Sequence, residues 1–379
     1  MGIVRRVLNT NNHRLGKFCL PTIRYSMKKK LFATIALTLS ALTLAACNPA
    51  NQTLTFLSNW QKAVLMEAAT ASEPEELTYL VEHEESSFLH KDFYNVKYCY
   101  ADGAKKAGSY TTTLEYLTSS TYRYTTELTV DVTFILANGE SSVTKTDTVS
   151  TEVIFKKADQ SLQPISSKKT VKAHAPRDAD VTALEDVYDD KGKLTQIGTY
   201  IEYDYEFFIE YEKDLSGGKL TKTDNSKHHT LGLKDDKKEI NFSIEDKKYT
   251  YLDNEQYLFA LRGISSEKLA SASKTVSMYN ASLMTMETVS TTPSVSNKTN
   301  FTLQLNGEAS KDYEIEYVPL TVKTSNKNVN LSQTLWYAKT TNSDNNTFRN
   351  VLLKMSVPMH FGLGTLVYKL QSANFSREN

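Results

Sequence analysis

From Tyr200 to Glu212 the chain alternates almost without a break. Ile201, Tyr203, Tyr205, Phe207, Ile209 and Tyr211 fall on one face of an extended strand, and Glu202, Asp204, Glu206, Glu210 and Glu212 on the other. A period of two marks a strand buried on one side only. Tyr122 to Phe134 repeats the pattern, with Tyr122, Tyr124, Leu128, Val130, Val132 and Phe134 alternating with polar residues. Such strands are about twice the common length of five or six residues. Long antiparallel strands with one apolar face twist and curl around whatever they cover. The expected fold is therefore mainly β (α+β): a large curved antiparallel sheet, or half-barrels, packed on a few helices.

Turn chemistry supports this reading. Asn138-Gly139 follows the Tyr122–Phe134 strand, and a return strand is expected from Ser142 to Lys156. Ser216-Gly217-Gly218, Asp235-Asp236-Lys237, Glu245-Asp246-Lys247 and Asn306-Gly307 are further hairpin candidates. Later strands are expected at Lys274–Met284, Phe301–Leu305, Tyr313–Lys323, Leu331–Lys339, Phe348–Met355 and Thr365–Gln371. Twenty-two Tyr with only 14 Gly and 8 Pro suit β-structure better than disorder.

Helices are expected in two places. Leu57, Trp60, Ala63, Val64 and Ala68 are helically spaced within Leu54–Ala71. Ser72, with Glu75 three residues on, resembles a capping box that restarts the helix, and Leu77, Leu80 and Val81 carry the stripe to Glu84. In the middle of the chain Asp253-Asn254-Glu255 caps a helix holding Tyr257, Leu258, Ala260 and Leu261, which Gly263 ends. Ser265 to Ala272 adds a further turn or two.

The N-terminal segment addresses the chain. Lys28, Lys29 and Lys30 precede an apolar run, Leu31–Ala46, that ends in Leu44-Ala45-Ala46-Cys47. This order of charge, short apolar run, small residues and cysteine resembles the lipobox leaders of bacterial lipoproteins. The resemblance implies cleavage between Ala46 and Cys47 and a diacylglyceryl group on Cys47, with two acyl chains to hold the membrane. Met27 is the expected start and 1–26 an extension. The implied location is the extracytoplasmic face of the cell membrane.

Cleavage changes the charge balance. Eight of the 44 basic residues and none of the 44 acidic ones precede Cys47, so 36 Lys+Arg face 44 Asp+Glu in the remaining 333 residues. An acidic body argues against nucleic acid as a partner. Cys99 is then the one cysteine besides Cys47, so the fold stands without an internal disulfide. The organisation expected is leader 27–46, tether 47–53, a part with helices and long strands over 54–252, and a central helix with a C-terminal meander over 253–379. The last two parts are open to being one continuous domain.

A second resemblance is carried by Leu331–Ala338 (LSQTLWYA), the polar turn Thr340–Asn346, the strand Phe348–Met355 and the closing Gly364–Leu370 (GTLVYKL). Together these some 60 residues are similar to the closing meander of the lipoprotein-carrier superfamily. That likeness implies a curved half-barrel, closed by helices, holding lipid or another apolar group.

Candidate chemistry is thin. Ser265-Ser266-Glu267-Lys268 has S-x-x-K spacing and Ser343-Asp344-Asn345 an S-D-N, but no K-T-G follows. Adjacent His228 and His229 on a strand point to opposite faces, and His83, His90, His174 and His360 lack metal-ligand spacing. Cys99 has no neighbouring base. The acidic ladder Glu202–Glu212 reads as a solvated face, offset by Lys219, Lys222 and Lys227 on the return strand. No enzyme, cofactor or metal is expected. Tyr203, Tyr205, Phe207, Tyr211 and Trp336 are the candidate ligand face, unless the tyrosines are simply core. The leading function is a non-enzymatic, membrane-anchored lipoprotein binding an apolar ligand. The alternative is an envelope scaffolding or interaction protein with a filled core.

Overall fold

The computed structural model describes residue 54 and residues 74–84, 96–100, 106–118, 120–136, 141–158, 161–177, 181–226, 237–245, 248–264, 266–325, 332–339, 350–358 and 364–374. The leader, the Ala46–Cys47 junction and, Leu54 apart, the helix expected over 54–71 lie outside them. So do the turns at 138–139 and 235–236, His228, His229 and Ser343–Asn345.

The first strands are β1 (Glu75–Glu84), β2 (Val96–Tyr100), β3 (Lys106–Thr118), β4 (Thr121–Leu136), β5 (Ser142–Ala158) and β6 (Ser161–Pro176). A small hairpin, β7 (Val187–Tyr188) and β8 (Leu194–Gln196), precedes β9 (Tyr200–Tyr211), β10 (Gly217–Asp224), β11 (Lys237–Ser243) and β12 (Thr250–Tyr251). Then come α1 (Tyr257–Ala260), a 3-10 turn (Leu261–Gly263) and α2 (Ser266–Ser271). The chain closes with β13 (Lys274–Asn280), β14 (Thr285–Pro293), β15 (Asn297–Leu305), β16 (Lys311–Thr324), β17 (Gln333–Ala338), β18 (Leu352–Pro358) and β19 (Thr365–Asn374).

Among the described residues, all strands but β7 and β8 belong to one sheet of 17 strands. Its neighbours run β11, β10, β9, β6, β5, β4, β3, β1, β19, β18, β17, β16, β14, β13, β12. Strands from both sides of residue 253 interleave, so 54–252 and 253–379 share this sheet. The sheet curls into a closed barrel core, as the one-sided alternation requires. Tyr122, Tyr124, Leu128, Val130, Val132 and Phe134 of β4 are buried inside it. β15 adds a small ring: it pairs with β16 and, in parallel, with the end of β19. Its hairpin to β16 turns at Asn306 (φ 49°) and Gly307 (φ 73°), the left-handed pair that an Asn-Gly turn supplies.

The second half of the first expected helix is a strand. β1 sits between β3 and β19, with Leu77, Tyr79 and Val81 buried at every second position. Leu77, Leu80 and Val81 fit a helical stripe, but Leu77, Tyr79 and Val81 fit a period of two equally well. Two open neighbouring strand edges decide between them. Among the strands that the expected ranges leave out are β6, β14 and the β7–β8 hairpin. Met284 (φ 57°) lies in the turn between β13 and β14 rather than in a strand.

The central helical segment runs through the barrel as a plug. Phe259 meets the rings of Tyr124 (5.1 Å) and Phe155 (5.5 Å). The Tyr337 hydroxyl donates to the Leu258 carbonyl (2.8 Å), and Asn350 Nδ2 donates to the carbonyls of Arg262 and Ile264 (3.0 Å each). Arg262 reaches from the plug to Glu75 at the start of β1 in a two-pronged bond of 2.5 and 3.1 Å. Both side chains are 3% exposed. Glu75 thus serves an ion pair rather than a capping box.

Because this pair is buried, removing one partner strands a charge, which costs about 3–5 kcal/mol. Glu75→Leu and Arg262→Met singly are expected to lose that much in urea unfolding, and the double variant to recover most of it. Additive losses in the double variant would contradict the pairing.

Candidate functional site

The inner face of β9 is built as the alternation requires: Tyr203, Tyr205, Phe207 and Ile209 are buried, with Tyr211 packed at the end of the row. Beside it, β6 contributes Ser167 and Lys169, and β10 contributes Leu220 and Lys222. Opposite this face lie β12, the 253–256 entry to the plug and β13. The two ends of the sheet therefore meet here, and no backbone pairing between β11 and β12 or β13 joins them among the described residues. Side chains seal the seam instead. Phe242 of β11 stacks on Tyr279 of β13 (3.9 Å, 6°), and Tyr211 packs against Phe242 (6.1 Å) and Tyr251 (5.8 Å). β13 is consequently buried on both faces from Thr275 to Asn280.

Polar groups line the seam beside these rings. Asp253 Oδ2 accepts from the Tyr211 hydroxyl (2.5 Å), and Oδ1 accepts from the Glu255 amide (2.8 Å) and Ser167 (3.2 Å). Burial pushes the Asp253 carboxyl up to about 6, although Tyr211 and Ser167 pull the other way. Lys169 Nζ donates to Glu255 (3.0 Å). Lys222 is 2% exposed; its ammonium donates to the Ser282 carbonyl (2.9 Å) and lies 5.3 Å from the Phe207 ring centre. Burial brings it down to about 8. Phe207 stands opposite both lysines in the register, so a row Lys169, Phe207, Lys222 crosses three strands. Between these groups and the β13–β14 turn is a cavity of about 20 Å³. That space suits a water molecule or two. Asp253, Tyr211 and Tyr251 form one hydrogen-bonded chain beside this space.

The candidate ligand face is thus divided. Tyr203, Tyr205, Phe207 and Tyr211 share one face, and Tyr203, Tyr205 and Phe207 pack ring to ring. Trp336 lies apart, half-buried on β17, stacked on Tyr317 (4.5 Å, 17°) beneath the Lys354 ammonium (4.5 Å). The acidic ladder is solvated and offset mainly from β6: Lys168 meets Glu206 (2.9 Å) and Lys172 meets Asp204 (3.6 Å). Lys222, expected on that outer face, points inward because it shares the parity of Leu220. Lys219 stands opposite Glu210 of the ladder, as expected, and also pairs with Glu239 (2.7 Å); Lys227 lies outside the described residues.

His174, isolated in the sequence, has a partner in space. Its Nδ1 lies 2.8 Å from Asp147 Oδ1, and its backbone amide donates to the same oxygen (2.9 Å). Burial raises Asp147 to about 6, against the pull of His174. Lys268 is exposed on α2, and no cluster of three metal-ligating side chains exists among the described residues.

The fold and seam define a rolled β-barrel with a helical plug. No family model matches the chain, and no curated protein matches it. Among solved structures it is similar to a β-barrel-like protein of a domain of unknown function (DUF1849) from Brucella abortus. The TM-score is 0.41 at 6% identity, over 79% of this chain and 97% of that chain.

The raised carboxyl of Asp253 makes the seam pH-dependent. The folded state holds this proton up to about 6, whereas the unfolded chain releases it near 3.8. The contribution is therefore fully present below 3.8, falls as pH rises through about 6, and is level above. Two pH units correspond to about 3 kcal/mol. Asp253→Asn is expected to gain stability on wild type between pH 4 and 7, most of the change falling between 4 and 6. A stability difference between the two proteins that is flat across that range would contradict the assignment.

Proposed function

We propose that this chain is a membrane-anchored, extracytoplasmic lipoprotein without enzymatic activity, whose barrel is a filled body for interactions in the cell envelope rather than a container for lipid. The observation that carries the second half is the occupied interior. Where the carrier resemblance implies an apolar cavity, the barrel holds the plug, with Phe259 against Tyr124 and Phe155 and the Glu75–Arg262 pair beside them. Tyr203, Tyr205 and Phe207 are between 2 and 4% exposed and touch one another. The seam cavity, about 20 Å³, is far below the roughly 300–1,000 Å³ of small-molecule sites, and the larger space of about 370 Å³ is a polar groove lined by Thr113, Thr125, Glu127, Glu152 and Lys168 of β3–β6. The first half rests on the lipobox and on the acidic body that follows it.

Two measurements on the full chain test the two halves separately. Metabolic labelling with an alkynyl fatty acid is expected to mark the wild type and to be lost in Cys47→Ala; persistence of the label in the variant refutes the anchor. Native mass spectrometry after gentle release from detergent is expected to give the chain plus its covalent acyl groups. A stoichiometric non-covalent lipid in addition refutes the filled body and reinstates the carrier reading.

A further inference from the structure

We propose that the outer face of the wall over β3–β6 and β9 is a saccharide-binding surface: a groove of hydroxyls that ends at the ring of Phe208. This deepens the envelope reading above, on which it rests for where a glycan is met, by naming the class of partner.

Register builds the groove. Two rows of side chains cross β3 to β6 side by side: Thr113, Thr125, Glu152 and Lys168 in one, Thr111, Glu127, Ser150 and Thr170 in the other. Together they line the open space of about 370 Å³, which falls within the roughly 300–1,000 Å³ of small-molecule sites. Thr126 and Thr151, whose side chains turn inward and bond each other (2.7 Å), form its floor. The first row continues across β9 to Phe208, opposite Lys168, and on to Thr221 of β10. Phe208 is the one break in the acidic ladder, an aromatic ring among Glu202, Asp204, Glu206, Glu210 and Glu212. It is half-buried, and among the described residues it packs neither on the core nor on another ring. An aromatic placed where the alternation calls for a carboxylate offers an apolar face to something outside the barrel.

The lining selects the ligand. Elsewhere on this face hydroxyls are already engaged: Thr133 bonds Thr144 (2.9 Å) and Thr146 donates to Asp131 (2.7 Å). In the groove Thr111, Thr113, Thr125, Ser150 and Thr170 have no side-chain partner among the described residues. Each of these hydroxyls can both donate and accept, which matches the hydroxyls of a polyol. Glu152 is held by Arg123 (3.2 Å) and Lys168 by Glu206 (2.9 Å), so no surplus of cations draws in a phosphate or a nucleic acid. An apolar ligand would cover the hydroxyls without pairing them. A saccharide presents hydroxyls around its rim and C–H groups on its ring face, and this surface presents hydroxyls and then Phe208. From β3 to β9 there are four strand spacings, about 19 Å, room for several linked sugar rings.

Saturation-transfer NMR on the purified full chain tests the surface with two uncharged probes, the β-linked tetramers of glucose and of N-acetylglucosamine. At least one tetramer is expected to receive magnetisation from the protein. Phe208→Ala is expected to weaken that binding about tenfold, through the lost burial of the ring face. Thr113→Val with Thr125→Val is expected to weaken it about fivefold or more. Thr129→Val with Thr148→Val, on the same face but outside the groove, is expected to leave it unchanged, and thermal unfolding checks the fold of each variant. Either groove variant decides the point if the other unfolds. No transfer to either tetramer overturns the inference, as does transfer that is equal in all variants. So does a two-copy assembly, abolished by Phe208→Ala, in place of saccharide binding. A stoichiometric lipid in the barrel, or a fatty-acid label that survives Cys47→Ala, refutes the envelope reading instead, and neither alters binding measured on the purified chain.

Discussion

The ion pair between Glu75 and Arg262 is the constraint around which the barrel is arranged. Two opposite charges, both 3% exposed, are held in a two-pronged bond inside the fold. Taking them out of water is costly, and their attraction repays the cost only when geometry is good and neighbours are polar. The bond is two-pronged and its neighbours are polar, although Arg262 Nε has no hydrogen-bond partner among the described residues. Tyr79 and Tyr124 lie close enough for their phenols to feel the pair, and burial holds the Tyr124 hydroxyl up at about 12 against the pull of the Arg262 charge. The Arg262 carbonyl accepts from Asn350, and Tyr79 donates to the Leu352 carbonyl (2.8 Å). The plug, β1 and the start of β18 are thus one hydrogen-bonded unit. A hydrophobic contact tolerates sliding, whereas a two-pronged guanidinium bond fixes register. The pair sets how deep the plug sits.

That depth explains the seam. A sheet that closes by backbone pairing has no edge left. Here the chain leaves the wall after β12, crosses the interior and returns as β13. The last strands therefore meet the β9–β11 face through side chains. The solution has two layers. Phe242, Tyr211, Tyr251 and Tyr279 supply apolar contact, and Asp253 ties two of them to the mouth of the plug through Tyr211 and the Glu255 amide. Burying a carboxylate there is tolerable because three donors meet it, and its raised proton affinity measures the cost that remains.

Much of the wall could be read from the residues, because one-sided burial writes itself as a period of two. β4 and β9 were expected within two residues at each end. The period fails wherever both sides of a strand are covered. β13 is buried on both faces, so Thr275, Ser277 and Tyr279 look no more exposed than Val276 and Met278. β6 carries Lys168 and Lys169 in succession, one outward and one inward, and holds Pro164 beside a shift in register. Lys169 and Lys222 point inward because carboxylate, carbonyl and aromatic partners arrive from the plug, β9 and the β13–β14 turn. Nothing local announces those partners. The same holds for the seam. Asp253 reads as a helix cap, and its bond to Tyr211 depends on a meeting across 42 residues. His174 and Asp147 are 27 residues apart and come together only through the β5–β6 pairing.

The plug also bears on what the barrel can hold. An acyl chain entering the interior would have to displace α1 and the 3-10 turn. The carbonyls of Leu258, Arg262 and Ile264 would then lose Tyr337 and Asn350, and each buried donor left without a partner costs about 1–3 kcal/mol. Glu75 would lose Arg262, a larger penalty. The surface uncovered would include the Thr126–Thr151 hydroxyl pair and the Lys169–Glu255 pair, neither of which suits a hydrocarbon. The curved sheet and the lipid container are therefore separable properties: one follows from long alternating strands, the other from an empty interior, and in this chain the buried plug, 257–263, crosses that interior.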